Sequence, residues 1–147
     1  MMRGLLLLWL CCSIAGSAQT LRDLEDKPHS VSELLTPAET EALVLVVWCS
    51  QCGSCRKIEK DLEKYSREVG PRVQVFAVTP HPADSPRRVS AFLQGNGSVL
   101  RVLRDPTQSL VNGLKIDRTT TALVYDKAAR LRYLGPFQED QVREVVA

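Results

Sequence analysis

The sequence predicts an α/β fold, a mixed β-sheet with helices on both faces, and three observations carry that expectation. The segment Ala42–Trp48 contains the run Leu43-Val44-Leu45-Val46-Val47, apolar without alternation. A strand of this composition is buried on both faces, as at the centre of a sheet covered by helices. Helix-like and strand-like segments follow in the order helix, strand, helix, strand, helix, strand, helix, strand, strand, helix, which suits parallel strands joined by crossovers and closed by a hairpin. The 147 residues, less a leader, are close to the commonest single-domain size and suffice for one core.

Residues 1–18 read as a secretory signal peptide and residues 19–147 as one domain. Arg3 supplies the positive start, Leu5 to Cys12 the apolar centre, and Gly16 and Ala18 the small residues before a cleavage site, so the mature chain is expected to begin at Gln19. The apolar stretch Leu5 to Ile14 is shorter than the roughly 20 residues that span a bilayer. The expectation is a secreted or periplasmic protein without stable membrane association after cleavage; a membrane tether formed by an uncleaved signal is the alternative. Nineteen basic against seventeen acidic side chains give a net charge of +2, and the charges are interleaved. Nucleic acid and anionic membrane are therefore not expected partners.

Each element has its own local reason. Thr20–Ser30 is polar and carries Pro28, so it reads as an exposed arm with a solvated His29. Ser30 caps a short helix from Val31 to Leu35, with Glu33 completing a capping box before Thr36-Pro37. After the central strand, Ile58, Leu62, Tyr65 and Val69 recur at helical spacing and mark one face of a helix from Gly53 to Val69, stopped by Gly70-Pro71. Arg72–Thr79 reads as a second central strand closed by Pro80 and Pro82, with His81 solvated between them. Ser85-Pro86 starts a short helix with Val89, Phe92 and Leu93 inward, before Gly95-Asn96-Gly97. Val99–Leu103 is a short strand, and Asp105-Pro106 caps a helix that ends near Asn112-Gly113. Thr119–Tyr125 and Arg130–Leu134 form a hairpin, and Gln138 to Val146 a last helix.

The chemistry is concentrated in Trp48-Cys49-Ser50-Gln51-Cys52-Gly53-Ser54-Cys55. Of five cysteines, Cys11 and Cys12 leave with the leader, and the remaining three lie within seven residues, too local to staple a fold. Cys52 and Cys55, spaced three apart where a strand hands over to a helix, can face each other across one turn. Unpaired N–H groups and the positive end of the helix dipole favour a thiolate at the helix start. Cys52 is accordingly the nucleophile and Cys55 the resolving thiol, with Gly53 and Ser54 between them and Trp48 as structural support. Cys49 reads either as a compact buried hydrophobe or as a third redox thiol.

These residues resemble the thioredoxin superfamily, in particular its exported TlpA and redoxin-like thiol-disulfide proteins, from about Ala42 to the C-terminus. Trp48 is similar to the tryptophan that precedes the first reactive cysteine by four residues, and Cys52-Gly53-Ser54-Cys55 to the Cys-x-x-Cys. The segment Pro86 to Leu103 with Arg104-Asp105-Pro106 looks like the helix-strand insertion shared by TlpA-like and peroxiredoxin-like proteins. Thr119 to Asp126 is similar to the family's substrate-loop strand. The resemblance implies a thioredoxin-like mixed sheet, protein disulfide substrates and a redox donor or acceptor partner, with no organic or metal cofactor. It places Thr120, expected in trans, where relatives carry a cis-proline facing the cysteines, with Thr121 beside it. Val46 stands where thioredoxin has a buried aspartate, so another carboxylate or water must move the proton.

Other classes use similar pairs. Cys-x-x-Cys is also half of many zinc sites, but only Cys49 offers a further ligand nearby. A ferredoxin-like run lacks its fourth thiolate, since Ile58 and Glu59 follow. A peroxiredoxin-like thiol peroxidase is expected to carry a threonine where this chain has Cys49. A non-catalytic metal-binding module using the three cysteines is the remaining alternative.

Overall fold

The computed structural model describes residues 19–53 and 55–147. The signal-peptide expectation for residues 1–18 and the site expectation for Ser54 lie outside the described residues. In chain order the elements are β1 (Thr20–Arg22), β2 (Pro28–Ser30), α1 (Val31–Leu34), β3 (Ala42–Val47), α2 (Cys55–Val69), β4 (Val73–Thr79), α3 (Pro86–Gly95), β5 (Val102–Arg104), α4 (Ser109–Gly113), β6 (Thr121–Asp126), β7 (Leu131–Pro136) and α5 (Glu139–Val146). They build one seven-stranded sheet in the order β2-β1-β5-β4-β3-β6-β7. β3, β4 and β5 are parallel neighbours, and the pairings of β3 with β6, β6 with β7, β1 with β5 and β1 with β2 are antiparallel.

All six residues of β3 are buried, as its unbroken apolar run requires. Its pleat sends Ala42, Val44 and Val46 to one face, where they meet Leu62 and Tyr65 of α2, Val89 and Leu93 of α3 and Val142 of α5. Leu43, Leu45 and Val47 face the other way, into a cluster with Leu35 and with Leu110 and Val111 of α4. Helices thus cover both faces. The capping box of α1 forms as expected, Ser30 accepting from the Glu33 N–H and the Glu33 carboxylate from the Ser30 N–H. Ser85 likewise caps α3, with Pro86 in its first turn. Gly70, at φ +72, takes the left-handed conformation that ends α2.

Five expectations need correction. Residues 20–30 are not an exposed arm but an antiparallel hairpin that extends the sheet, with Leu21 wholly buried and Arg22 paired to Arg104 of β5. His29 is half-buried rather than solvated, and its Nε2 lies 2.8 Å from Asp23 Oδ2. Asp23 also accepts from the N–H groups of Glu25 and Lys27, so one aspartate organises the turn. Strands of three residues carry too little alternation to show in a pattern. On α2, Glu59 is buried and Ile58 only half-buried. The strand expected at Val99 begins at Val102, because the Ser98 hydroxyl and the Val99 N–H bind the Glu63 carboxylate and hold that segment off the sheet. Finally, α4 starts at Ser109, and Asp105 serves it from a distance, its wholly buried carboxylate accepting from Leu110 N and Val111 N at 3.1 and 3.2 Å.

Candidate active site at the carboxyl end of the central strand

β3 ends at Val47, and the Trp48 N–H still bonds Val78 O at 2.8 Å, so the indole is carried to the sheet's carboxyl end by continuing strand bonds. Trp48 is wholly buried there; its Nε1–H donates to Glu59 Oε1 at 2.8 Å, and its ring meets Phe92 edge-on at 5.5 Å. The chain then makes two successive turns. Cys52 N donates to Cys49 O at 3.3 Å, and Cys55 N to Cys52 O at 3.1 Å. α2 begins at Cys55, so Cys52 stands just ahead of its first unsatisfied N–H groups. Gly53 is exposed, and a Cβ at that position would meet nothing within 4 Å.

The three thiols differ in surroundings. Cys52 is half-buried, with its Sγ 3.6 Å from Thr119 Oγ1. Cys55 is wholly buried; burial, reinforced by the neighbouring Cys52 sulfur, pushes its thiol up to about 11, and the Cys49 backbone and, less, the Thr119 hydroxyl oppose the rise only in part. Cys49 is buried as well. Its thiol is pushed up, chiefly by burial and further by the charges of Asp84 and Cys52, against the Gln51 N–H that donates to its Sγ at 3.4 Å.

The loop before β6 reaches these cysteines because its backbone is pinned on both sides. Thr120 N donates to Val47 O at 2.6 Å, and Thr120 O accepts from Phe137 N at 2.8 Å. Thr120 is in trans and at φ +69, and its N–H is spent on the sheet. The side chain on Cys52 belongs to its predecessor, Thr119. The Thr121 hydroxyl donates to Arg118 O at 2.8 Å and closes the loop on itself. Thr119 also borders an open cavity of about 250 Å³, with Val47, Pro80, Gln108, Ile116 and Arg118 in its lining.

Two buried carboxylates near the thiols were not among the expected site residues. Glu59 follows Cys55 by four residues on one helical face, so the spacing Cys55, Glu59, Leu62 carried a signal for it. Asp84, 3% exposed, lies in a loop where no periodicity applies. Its Oδ2 accepts from Ser50 N at 3.2 Å and Thr79 Oγ1 at 2.6 Å, and its Oδ1 from the Ser50 hydroxyl. Among the described residues no group of three or more His, Cys, Asp or Glu is arranged to hold a metal ion, and no helix is long and apolar enough to cross a membrane.

Residues 17–134 match the family model described as AhpC/TSA family. No curated protein sequence matches the chain. Among solved structures, the exposed lipoprotein thioredoxin of Streptococcus pneumoniae is similar at a TM-score of 0.70 and 20% identity, over 88% of this chain and 98% of that one. A thioredoxin-like protein of Aeropyrum pernix gives 0.68 at 17% identity over 88% of each chain. StoA of Bacillus subtilis gives 0.65 at 17% identity, over 87% of this chain and 95% of its own. At these identities the likeness establishes a thioredoxin-like fold.

Proposed function

Because the chain belongs to the AhpC/TSA family and has a thioredoxin-like fold, we propose that it is a thiol–disulfide oxidoreductase acting on protein disulfides through Cys52 and Cys55. The observation that carries this reading is the asymmetry of the two thiols. Cys52 is reachable, precedes a helix start and faces a hydroxyl at 3.6 Å; Cys55, one turn on, is sealed and held as a neutral thiol. The Cys52 thiolate attacks one sulfur of a substrate disulfide in line, forming a mixed disulfide and releasing the other substrate sulfur as a thiolate. Cys55 then loses its proton and attacks the Cys52 sulfur, so that the Cys52–Cys55 disulfide forms and the reduced substrate leaves. Neither step needs an organic or metal cofactor. A separate redox partner has to return the pair to the starting state.

The leader pattern of Arg3, Leu5 to Cys12, Gly16 and Ala18 supports action in an exported compartment. N-terminal sequencing of the exported chain should begin at Gln19. The test of the chemistry is insulin reduction with mass mapping of trapped adducts. Cys52→Ser is expected to lose at least about a hundredfold in rate, while Cys55→Ser accumulates mixed disulfides on Cys52. Wild-type-like turnover by Cys52→Ser sinks the proposal. Hydroperoxide reduction without insulin reduction would move the assignment to a thiol peroxidase, against which Cys49 stands in place of the expected threonine.

A further inference from the structure

Cys52 has a thiol at the same spacing on either side. The turns Cys49–Cys52 and Cys52–Cys55 are each closed by an N–H bond to the carbonyl three residues back. The ends of such a turn have Cα atoms under about 7 Å apart, which overlaps the roughly 4.4–6.8 Å that a disulfide spans. Burial does not separate the two neighbours either, since Cys49 is 7% and Cys55 0% exposed. Backbone spacing therefore leaves open which of them resolves a disulfide on Cys52.

What separates them is the chemistry of the adjoining side chains. Cys55, whose own thiol burial pushes up to about 11, has the neutral Thr119 hydroxyl near it and the Glu59 carboxylate, bonded to the Trp48 indole, one turn on along α2. On the Cys49 side is Asp84, which takes both polar hydrogens of Ser50, the next residue in the chain, and that of the Thr79 hydroxyl. Three hydrogen-bond donors converge on this one carboxylate. It is held from the end of β4 on one side and from the cysteine turn on the other. A second anion forming next to it in a buried, low-dielectric site is disfavoured.

Given the exchange chemistry proposed above, on which this rests, we propose that Asp84 is a positioning residue that holds Cys49 back as a resolving thiol: by fixing a negative charge beside Cys49, it slows attack by that thiol on a disulfide carried by Cys52. The step held back is attack by Cys49. Cys49, deprotonated to water, would attack the Cys52 sulfur of the mixed disulfide; a Cys49–Cys52 bond would form, the Cys52–substrate bond would break, and the substrate would leave as a thiolate that takes up a proton.

The test uses Cys55→Ser protein carrying a glutathione adduct on Cys52, made with glutathione disulfide, and follows release of glutathione by intact mass. Peptide mapping then locates any internal disulfide. Cys55→Ser should keep its adduct, whereas Cys55→Ser with Asp84→Asn should convert to a Cys49–Cys52 disulfide about tenfold faster at the same pH, the effect of one pKa unit on thiolate population. Adding Cys49→Ser should restore the stable adduct. Equal rates with and without Asp84, or fast conversion in Cys55→Ser alone, overturn the inference. Circular dichroism checks that Asp84→Asn is folded. If it is not, Ser50→Ala, which removes one tether, should accelerate conversion about threefold, and no change overturns the inference. Wild-type protein that fails to reduce insulin, with the Cys55→Ser variants behaving as expected, would remove the proposed function and leave the role of Asp84 standing.

Discussion

The two faces of the sheet take alternate residues from the same strands, yet their interiors differ. Under α4, Leu43, Leu45 and Val47 meet Leu110, Val111 and Leu123 in a cluster of hydrocarbon with one tyrosine, Tyr125. Under α2, α3 and α5, Val44 and Val46 share their layer with Trp48, Cys55 and Tyr65, while Glu59 is buried beside them on α2. The first face fills space with hydrocarbon and buries one carboxylate, Asp105, which two N–H groups at the start of α4 satisfy. The second also has to satisfy a buried carboxylate and hold a thiol neutral, and it leaves the Tyr65 hydroxyl without a hydrogen-bond partner. Buried polar groups cost stability unless they are paired, so the site face accepts risk that the hydrocarbon face avoids.

Substitutions on the two faces should separate stability from chemistry. Leu110→Ala, on the hydrocarbon face and wholly buried, should cost about 2–5 kcal/mol in urea unfolding and leave the alkylation rate of Cys52 in the folded protein unchanged. A parallel loss of Cys52 reactivity would show that the faces are coupled through β3. On the site face, Trp48→Phe keeps most of the volume but leaves Glu59 without its indole donor at 2.8 Å. It should cost about 1–3 kcal/mol, and a double-mutant cycle with Glu59→Leu should recover part of that loss.

Alkaline pH should read the burial of Cys55 on the site face. Its thiol is pushed up from 9.0 to about 11, so between those values the unfolded chain loses a proton that the folded chain keeps. The folded state then binds more protons, and stability falls as pH rises through this window, levelling above the folded value. Cys49, Tyr65 and Tyr125 are raised as well and act in the same direction. Urea midpoints of the reduced protein should therefore decline across the window, and Cys55→Ala should make the decline shallower without abolishing it. An unchanged slope would mean that Cys55 is not held neutral by burial.

The smallest effect is expected at Thr120, whose φ of +69 is strained for a β-branched residue. Thr120→Gly should stabilise by up to about 1 kcal/mol, since glycine adopts that conformation freely. Thr120→Pro should instead destabilise by more than about 1 kcal/mol, because proline cannot reach a positive φ and removes the N–H bonded to Val47 O. Thermal unfolding of both variants decides the point. A stabilised Thr120→Pro protein would mean that the loop takes another backbone path in solution.

By itself the sequence determined the central strand, the capped starts of α1 and α3, the span of α2 and the cysteine pair ahead of it. Each of these rests on signals read within a few residues: an apolar run, a serine three before a glutamate, a helical period, a three-residue spacing. Even the N–H bonds that close the cysteine turns are local. Only the tertiary structure decided that residues 20–30 join the sheet, since β1 depends on a partner at Arg104. The same holds for Thr119 rather than Thr120 facing Cys52, a contact across 67 residues, and for Asp84 gripping Ser50 across 34. A threonine or an aspartate in a loop has no period to betray which way it points; its role is set by which distant strand ends the fold brings beside it, and here the carboxyl ends of β3 and β4 and the loop before β6 meet around one thiol.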